Sequence, residues 1–205
     1  MVENGGEKPL KKMSEAFNDL AITVNSQDLH LQLAPFCHAC SLVSPLLSFL
    51  GIAFMFAEMD YVNKVNDLAE TSNSITTLQA LIDQDIQANT VRKLGSHTRN
   101  LLRVKRSLDM IKVLFEKMIA TKGDSLEEAA FDAYTQVFEQ HHGAAIRKAV
   151  GDGMYALPTR PQLMSKLNED ENSACILMQN YITSSTAVIR YVEKLFLSNE
   201  LGLNW

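Results

Sequence analysis

The segment GSHTRNLLRVKRSLDMIKVLFEKMIA, Gly95 to Ala120, decides the fold class because two helical patterns run through it. Its apolar residues recur at steps of three and four, which is the spacing of one face of an α-helix. This apolar stripe consists of Leu101, Val104, Leu108, Ile111, Phe115 and Met118. Gly95 and Ser96 precede the pattern and mark a helix start. The segment therefore predicts a long helix, anchored in a core and ending near Ala120.

A second face of the same helix changes from cationic to apolar. Arg99, Arg103 and Arg106 are spaced by four and three residues, so their guanidinium groups share one side. The same steps lead on to Met110 and Val113. Arginine suits phosphate because its planar fork donates two parallel hydrogen bonds. This face fits an anionic amphiphile.

Phe56, Asp60 and Lys64 repeat this change of polarity at steps of four. A carboxylate accepts hydrogen bonds from amides and hydroxyls, whereas an ammonium group pairs with phosphate. The two charged side chains could therefore bind an amide or hydroxyl beside a charged head group. The alternative for both charged faces is ordinary solvated surface, where such features contribute under about 1 kcal/mol. Spacing alone favours that alternative.

His141 and His142 stand beside Gly143. A neutral imidazole can donate a hydrogen bond to a carbonyl oxygen such as that of an acyl amide, and helix capping or a surface position is the alternative. The sequence contains no Gly-x-Ser-x-Gly motif and no glycine-rich phosphate loop. We therefore expect no catalytic residue, metal site or cofactor, and no enzymatic activity.

The remaining sequence is also helical in pattern, and no stretch shows the sustained alternation of a β-strand. Further helices are predicted for Leu10 to Val24, Ile75 to Ile86, Ser125 to about Gln140, Ala144 to Ala156, Leu163 to Leu167 and Glu171 to Leu197. The fold class is therefore all-α. Residues 1–9 are polar and are predicted to form a flexible lead-in, with residues 10–205 as a single domain.

Residues 35–57 contain no charged side chain. An uncharged run of this length could span a membrane, which raises the alternative of a membrane-anchored protein. His38, Pro45 and Gly51 interrupt or polarise this run. Two buried helical segments with a bend fit better. The second segment is predicted to continue from Ile52 into the charged residues that follow.

Composition limits the function classes. The 205 residues carry a formal net charge of -5, which argues against a general nucleic-acid binder. Met1 to Lys12 has no apolar signal segment. Cys37, Cys40 and Cys175 form an odd, sparse set, for which we expect reduced and mostly buried thiols. These features predict a folded, soluble protein of the cytoplasm.

Four segments together resemble the glycolipid transfer protein superfamily, and in particular its members that handle ceramide-1-phosphate. They are AEMDYVNKV at 57–65, GSHTRNLLRVKR at 95–106, GMYALPTRP at 153–161 and LGLNW at 201–205. The resemblance covers nearly the whole chain. It implies a two-layer helical sandwich of about eight helices, with a lipid pocket between the layers and a head-group site at the surface.

The resemblance also implies roles for single residues. Asp60 would bind the sphingoid amide, Lys64, Arg99 and Arg103 the phosphate, and His142 the acyl carbonyl, with Arg106 as a weaker addition. Members that bind neutral sugars use an aromatic platform near the position of Arg103, so an arginine there implies phosphate. The family often has Trp two residues after the histidine, where this chain has Ala144. The choice between His141 and His142 therefore stays open.

The function that the resemblance implies is transfer of ceramide-1-phosphate and related phosphosphingolipids between membranes, with an influence on sphingolipid balance and programmed cell death. The expected partners are the lipid and, transiently, a membrane surface, so the protein would be cytoplasmic and peripheral. Trp205 is a candidate for membrane contact, with a packed C-terminus as its alternative. The alternative function is a lipid sensor or a helical protein-interaction scaffold without transfer activity.

Overall fold

The computed structural model describes residues 7–26 and 30–205, and within these ranges it contains helices and no strand. The all-α prediction is confirmed. The α-helices are α1 (Pro9–Asn25), α2 (Leu33–Ser41), α3 (Ser44–Phe49), α4 (Met55–Thr71), α5 (Leu78–Gln87), α6 (His97–Ala120), α7 (Glu127–Val137), α8 (Ala144–Met154), α9 (Arg160–Leu167) and α10 (Glu171–Ser198). Two short 3₁₀-helices cover Ile52–Phe54 and Glu139–His141. The predicted lead-in falls largely on residues 1–6, which lie outside the described residues, and α1 begins at Pro9.

Helix α6 organises the packing, because it contacts α10, α7, α4 and α5. All six residues of its predicted apolar stripe are fully buried. Helix α1 packs against α10 and α2, and α2 packs against α4. This arrangement is the predicted two-layer sandwich, with one continuous buried cluster between the layers. The charged face of α6 is left at one side of that cluster.

The N-terminus of α6 is held in place by side chains that satisfy its free backbone donors. The hydroxyl of Ser96 accepts a hydrogen bond from the N–H of Arg99 at 3.1 Å. The buried carboxylate of Asp85, from α5, accepts another from the N–H of Thr98 at 2.7 Å. The start of the arginine face is therefore fixed relative to α5.

The run from residue 35 to residue 57 is divided more finely than predicted. It folds as α2, α3, the 3₁₀-helix Ile52–Phe54 and the first turn of α4. Gly51 has φ of +87° and ψ of -165°, a conformation that is open essentially to glycine alone. The residues after this break, Ile52–Phe54, form the 3₁₀-helix, so the α-helix that carries Asp60 begins at Met55 rather than at Ile52. No helix in the described part of the chain is long and apolar enough to span a membrane.

The cysteines behave as expected for buried thiols. Cys37 and Cys40 are buried, Cys175 is half-buried, and all three are free. Burial raises the pKa of Cys37 to about 12, with a further contribution from the charge of Asp67. The hydroxyl of Tyr61 donates to the carbonyl oxygen of Cys40 at 2.8 Å and so ties α4 to α2. The thiols are part of the core.

Candidate functional site

A cavity of about 250 Å³ lies beside the charged faces of α4 and α6. Its polar wall is formed by Asp60, Lys64, Arg103, Arg106, Ser107, His141 and His142. Its apolar and aromatic wall is formed by Leu47, Phe54, Ala57, Tyr61, Met110, Ile111, Tyr134, Phe138, Val150, Met154 and Trp205. The cavity therefore joins charged groups and hydrocarbon-like surface in one space. Two sequence segments that were predicted separately, on α4 and on α6, meet here.

Asp60 and Lys64 form an ion pair one turn apart on α4. The Lys64 side chain is only 13% exposed, whereas that of Asp60 is 65% exposed. An anionic ligand would therefore compete with Asp60 for the ammonium group of Lys64. Asp60, facing solvent at the edge of the cavity, can accept hydrogen bonds from an amide or a hydroxyl.

The polarity change predicted along α4 is correct, but Phe56 was the wrong residue for it. Phe56 is 75% exposed, and the apolar members of α4 at the cavity are Ala57 and Tyr61. Successive helix residues turn by about 100°. Ala57 and Tyr61 therefore lie on the Lys64 side of Asp60, and Phe56 lies on the other side.

The three arginines of α6 do not lie in equivalent positions. Arg103 is half-buried and lines the cavity together with Met110, as the spacing predicted. Arg99 is half-buried one turn earlier and is not one of the lining residues, so its predicted contact with the head group stays a prediction. Arg106 lines the cavity but is almost fully buried.

Arg106 connects the cavity to the C-terminal segment. Its guanidinium donates to the carbonyl oxygens of Leu203 at 2.6 Å and Trp205 at 2.7 Å. Burial, and after it the neighbouring charge of Arg103, lower its pKa to about 10. Arg106 therefore keeps its charge at neutral pH and serves as part of the wall. This contact also orders Trp205, whose indole N–H donates to the carbonyl of Leu201 at 3.0 Å.

His141 and His142 both line the cavity, because the 3₁₀-helix Glu139–His141 turns the chain sharply between α7 and α8. Burial lowers the pKa of each imidazole. For His142 the charge of Arg103 adds to this effect and that of Asp60 opposes it. For His141 the next causes are the charges of Arg106, His142 and Arg103. Of the two histidines, His142 is thus the one whose pKa is shifted by the charges of both predicted head-group residues, Asp60 and Arg103.

Sequence reasoning missed the aromatic side chains that surround His142. Its ring stacks on Phe138, with centroids 5.5 Å apart, and lies 5.6 Å from the ring of Tyr134. The hydroxyl of Tyr134 is 3.1 Å from Nδ1 of His142. The only available signal was the spacing of Tyr134, Phe138 and His142 by four residues, which reads as an ordinary helix face. The turn at residues 139–141 is what folds the last member back onto the other two.

Chemically, the cavity can hold a molecule that has a phosphate, an amide and a hydrocarbon part. Lys64 and Arg103 provide positive charge, Asp60 provides an acceptor, and a neutral histidine provides one N–H donor. In residues 7–26 and 30–205, no three His, Cys, Asp or Glu side chains are grouped so that they could hold a metal ion.

Comparison with known proteins places this chain in a family. A sequence model described as Glycolipid transfer protein (GLTP) matches residues 31–169. Accelerated cell death 11 of Arabidopsis thaliana is 59% identical over 206 residues, which cover all of both chains. Ceramide-1-phosphate transfer protein of Danio rerio is 29% identical over 76% of this chain and 82% of its own.

Among solved structures, a mutant of the Arabidopsis protein in complex with C12 ceramide-1-phosphate superposes with a TM-score of 0.96. It is 59% identical, and the match covers 98% of this chain and 100% of that chain. Human ceramide-1-phosphate transfer protein, at 20% identity and a TM-score of 0.82, has the same fold. The family model and the full-length relative together show that this chain belongs to the glycolipid transfer protein family.

Proposed function

We propose that this protein transfers ceramide-1-phosphate and related phosphosphingolipids between membranes. The observation that carries the proposal is the cavity in which Asp60, Lys64, Arg103 and His142 share a wall with apolar side chains. The relatives named for ceramide-1-phosphate support the choice of head group. Through the pool of this lipid, the protein would influence sphingolipid balance and programmed cell death, the process named in the Arabidopsis relative.

In this proposal each polar residue has one task. Asp60 accepts from the sphingoid amide, and His142 donates to the acyl carbonyl. Lys64, Arg99 and Arg103 bind the phosphate, for which the arginines supply paired donors. Arg106 contributes charge from the wall, while its own donors hold the C-terminal segment.

Transfer requires no bond to be made or broken, and we propose no catalytic activity. The hydrocarbon chains leave one apolar environment, the bilayer, and enter another, the protein interior, so their burial gives little net selectivity. Selectivity then comes from the head-group contacts, which differ between a phosphate and a neutral sugar.

The proposed partner during loading and release is a membrane surface. Exposed apolar side chains lie on the same two elements that form part of the cavity wall, α4 and α8, together with the 3₁₀-helix between α3 and α4. We call this set the apolar rim, and its members are Ile52, Met55, Phe56, Met59 and Ile146. Helix α8 contacts the 3₁₀-helix directly, which brings the two parts together. We place the protein in the cytoplasm, at membrane surfaces, a location with which its three free thiols agree.

The decisive test is transfer of ceramide-1-phosphate between vesicles by the wild-type protein and by Arg103→Leu. One charge-assisted contact contributes about 1.5–3 kcal/mol, so transfer should fall by at least about tenfold. Arg190→Leu removes an exposed arginine on α10, outside the cavity, and should leave the rate unchanged.

A second measurement separates a carrier from the alternative, a lipid sensor or protein-interaction scaffold. Purified protein is incubated with mixed-lipid vesicles, recovered, and extracted for mass spectrometry. Selective uptake of phosphosphingolipids together with transfer supports a carrier. Uptake without transfer would favour a sensor, and no selective uptake would favour a scaffold.

A further inference from the structure

Tyr134 and His142 contact each other through polar atoms at the cavity wall. Tyr134 is only 4% exposed, and its hydroxyl lies 3.1 Å from Nδ1 of His142. In the described part of the chain, residues 7–26 and 30–205, this hydroxyl makes no other hydrogen bond. Within that part of the chain, Nδ1 of His142 is therefore the hydrogen-bond partner of the Tyr134 hydroxyl.

Both partners are neutral near pH 7. Burial raises the pKa of Tyr134, with a further increase from the charge of Glu139 and an opposing effect of Arg147. Burial lowers the pKa of His142 from its ordinary value of 6.5, and Arg103 adds to this effect while Asp60 opposes it. A neutral imidazole carries one proton, which is either on Nδ1 or on Nε2.

The two possible arrangements of this hydrogen bond are not equivalent. If Nδ1–H of His142 donates to the Tyr134 oxygen, the phenol proton is left buried without an acceptor, and a buried unsatisfied donor costs free energy. If the Tyr134 hydroxyl donates to Nδ1, every polar hydrogen of the contact is used and the imidazole proton is on Nε2. The second arrangement satisfies the buried group.

We propose that Tyr134 is a positioning residue that donates to Nδ1 of His142 and thereby holds the imidazole in the Nε2–H form, the form able to donate to a lipid amide carbonyl. Phe138, stacked on the same ring, limits its rotation. The consequence for ligand choice rests on the proposed function. In the Nδ1–H form, Nε2 is an acceptor and cannot form a hydrogen bond with an acyl carbonyl, which is also an acceptor. In the Nε2–H form, the same nitrogen donates to the carbonyl. Tyr134 would therefore favour lipids that have an acyl amide beside the phosphate.

The tautomer can be read in the lipid-free protein. Histidine labelled with ¹⁵N and observed by long-range ¹H–¹⁵N NMR distinguishes the two forms through the chemical shifts of the ring nitrogens. The wild-type protein should show His142 in the Nε2–H form. Tyr134→Phe keeps the ring and removes the donor, so His142 should shift toward a mixture with the Nδ1–H form. His30, His38 and His97 lie outside the cavity wall and are controls in the same spectra.

A double-mutant cycle tests the role in lipid recognition. Tyr134→Phe should lower transfer of ceramide-1-phosphate by about two- to tenfold, the size of one neutral hydrogen bond. His142→Gln replaces the imidazole by an amide, which donates without a tautomer. In that background Tyr134→Phe should have no further effect, because there is no tautomer left to select.

The outcomes separate this inference from the proposed function. An Nδ1–H form in the wild-type protein, or a tautomer that Tyr134→Phe does not alter, would overturn the inference. A full transfer rate in a folded Tyr134→Phe variant would overturn its role in recognition. If the wild-type protein transfers no lipid, the proposed function fails, while the NMR result still decides the tautomer. The wild-type spectrum needs no variant, so the test survives even if Tyr134→Phe does not fold.

Discussion

At the residue scale, the carboxylate of Asp85 stabilises the end of α6 from which the arginines project. It accepts hydrogen bonds from the N–H of Thr98 at 2.7 Å, the hydroxyl of Ser96 at 2.9 Å and the hydroxyl of Thr90 at 2.9 Å. Burial alone would raise the pKa of Asp85, but these donors outweigh that effect and the pKa is lowered. The charged form is therefore the one that the fold selects.

Replacing Asp85 by alanine should destabilise the protein by about 2 kcal/mol, because buried donors lose their acceptor. Asp83→Ala, on the same helix but less buried, should change the free energy of unfolding by no more than about 0.5 kcal/mol. Urea unfolding of both variants at pH 7 measures the difference.

The contribution of Asp85 also depends on pH. The pKa of Asp85 in the folded protein lies below its ordinary value of 3.8, so the stabilisation by its carboxylate is complete above pH 3.8 and is lost as the pH falls through the lowered pKa. The difference in the free energy of unfolding between the wild-type protein and Asp85→Ala should therefore become smaller in acid. A difference that does not change with pH would contradict this role of Asp85.

At the element scale, the sequence predicts a helix well where its own periodicity decides the packing. The apolar stripe and the arginine face of α6 both follow from steps of three and four, and the stripe is buried as expected. Of the arginines, Arg103 and Arg106 line the cavity and Arg99 does not, and their contacts with a head group stay a prediction. On α4 the same reasoning chose Phe56 because steps of four do not show on which side of Asp60 the cavity lies.

Phe56 instead belongs to the apolar rim, and this gives it a function that can be tested. Phe56→Ser should weaken binding to vesicles by about tenfold, since a fully buried Phe contributes about 1.5–3 kcal/mol. The stability of the protein should be nearly unchanged, because the side chain is exposed in the fold. Vesicle co-sedimentation together with thermal melting separates the two effects.

Ile176→Ser is the matched control for the rim. Ile176 is 63% exposed on α10, a helix that contributes no side chain to the cavity wall. Its loss should not alter vesicle binding. Equal weakening by both substitutions would show that any exposed apolar residue serves, and that the rim has no special position.

At the scale of the whole molecule, the cavity wall combines residues that are distant in the sequence. Asp60, Arg103, His142 and Trp205 come from four separate segments. Spacing within one helix could not show that α4 and α6 meet, nor that the C-terminal segment closes onto Arg106. Family likeness supplied the first of these relations, and the folded chain was needed for the second, as it was for Tyr134.

The size of the cavity implies a change of shape when lipid enters. Its volume of about 250 Å³ lies below the range of roughly 300–1,000 Å³ that is usual for drug-sized ligands, and a two-chain lipid is larger than these. The surrounding side chains pack at high density and cannot simply be compressed. We therefore expect the helices around the cavity to move apart on loading, which makes the apolar wall a determinant of chain length.

Val150→Phe on α8 tests this expectation, because it adds bulk to the apolar wall and leaves every charged side chain of the cavity in place. Uptake of ceramide-1-phosphate with a long acyl chain should fall several-fold, since overpacking costs about 1–3 kcal/mol, whereas a lipid with a two-carbon acyl chain should bind nearly as before. Ala145→Phe adds a ring at an exposed position of the same helix, beside the rim residue Ile146, and should therefore change the uptake of the two lipids by the same factor. Binding is measured by vesicle transfer for both chain lengths. If Val150→Phe lowers the uptake of both lipids equally, the substitution disturbs head-group binding or the fold. The acyl chain then does not lie against Val150.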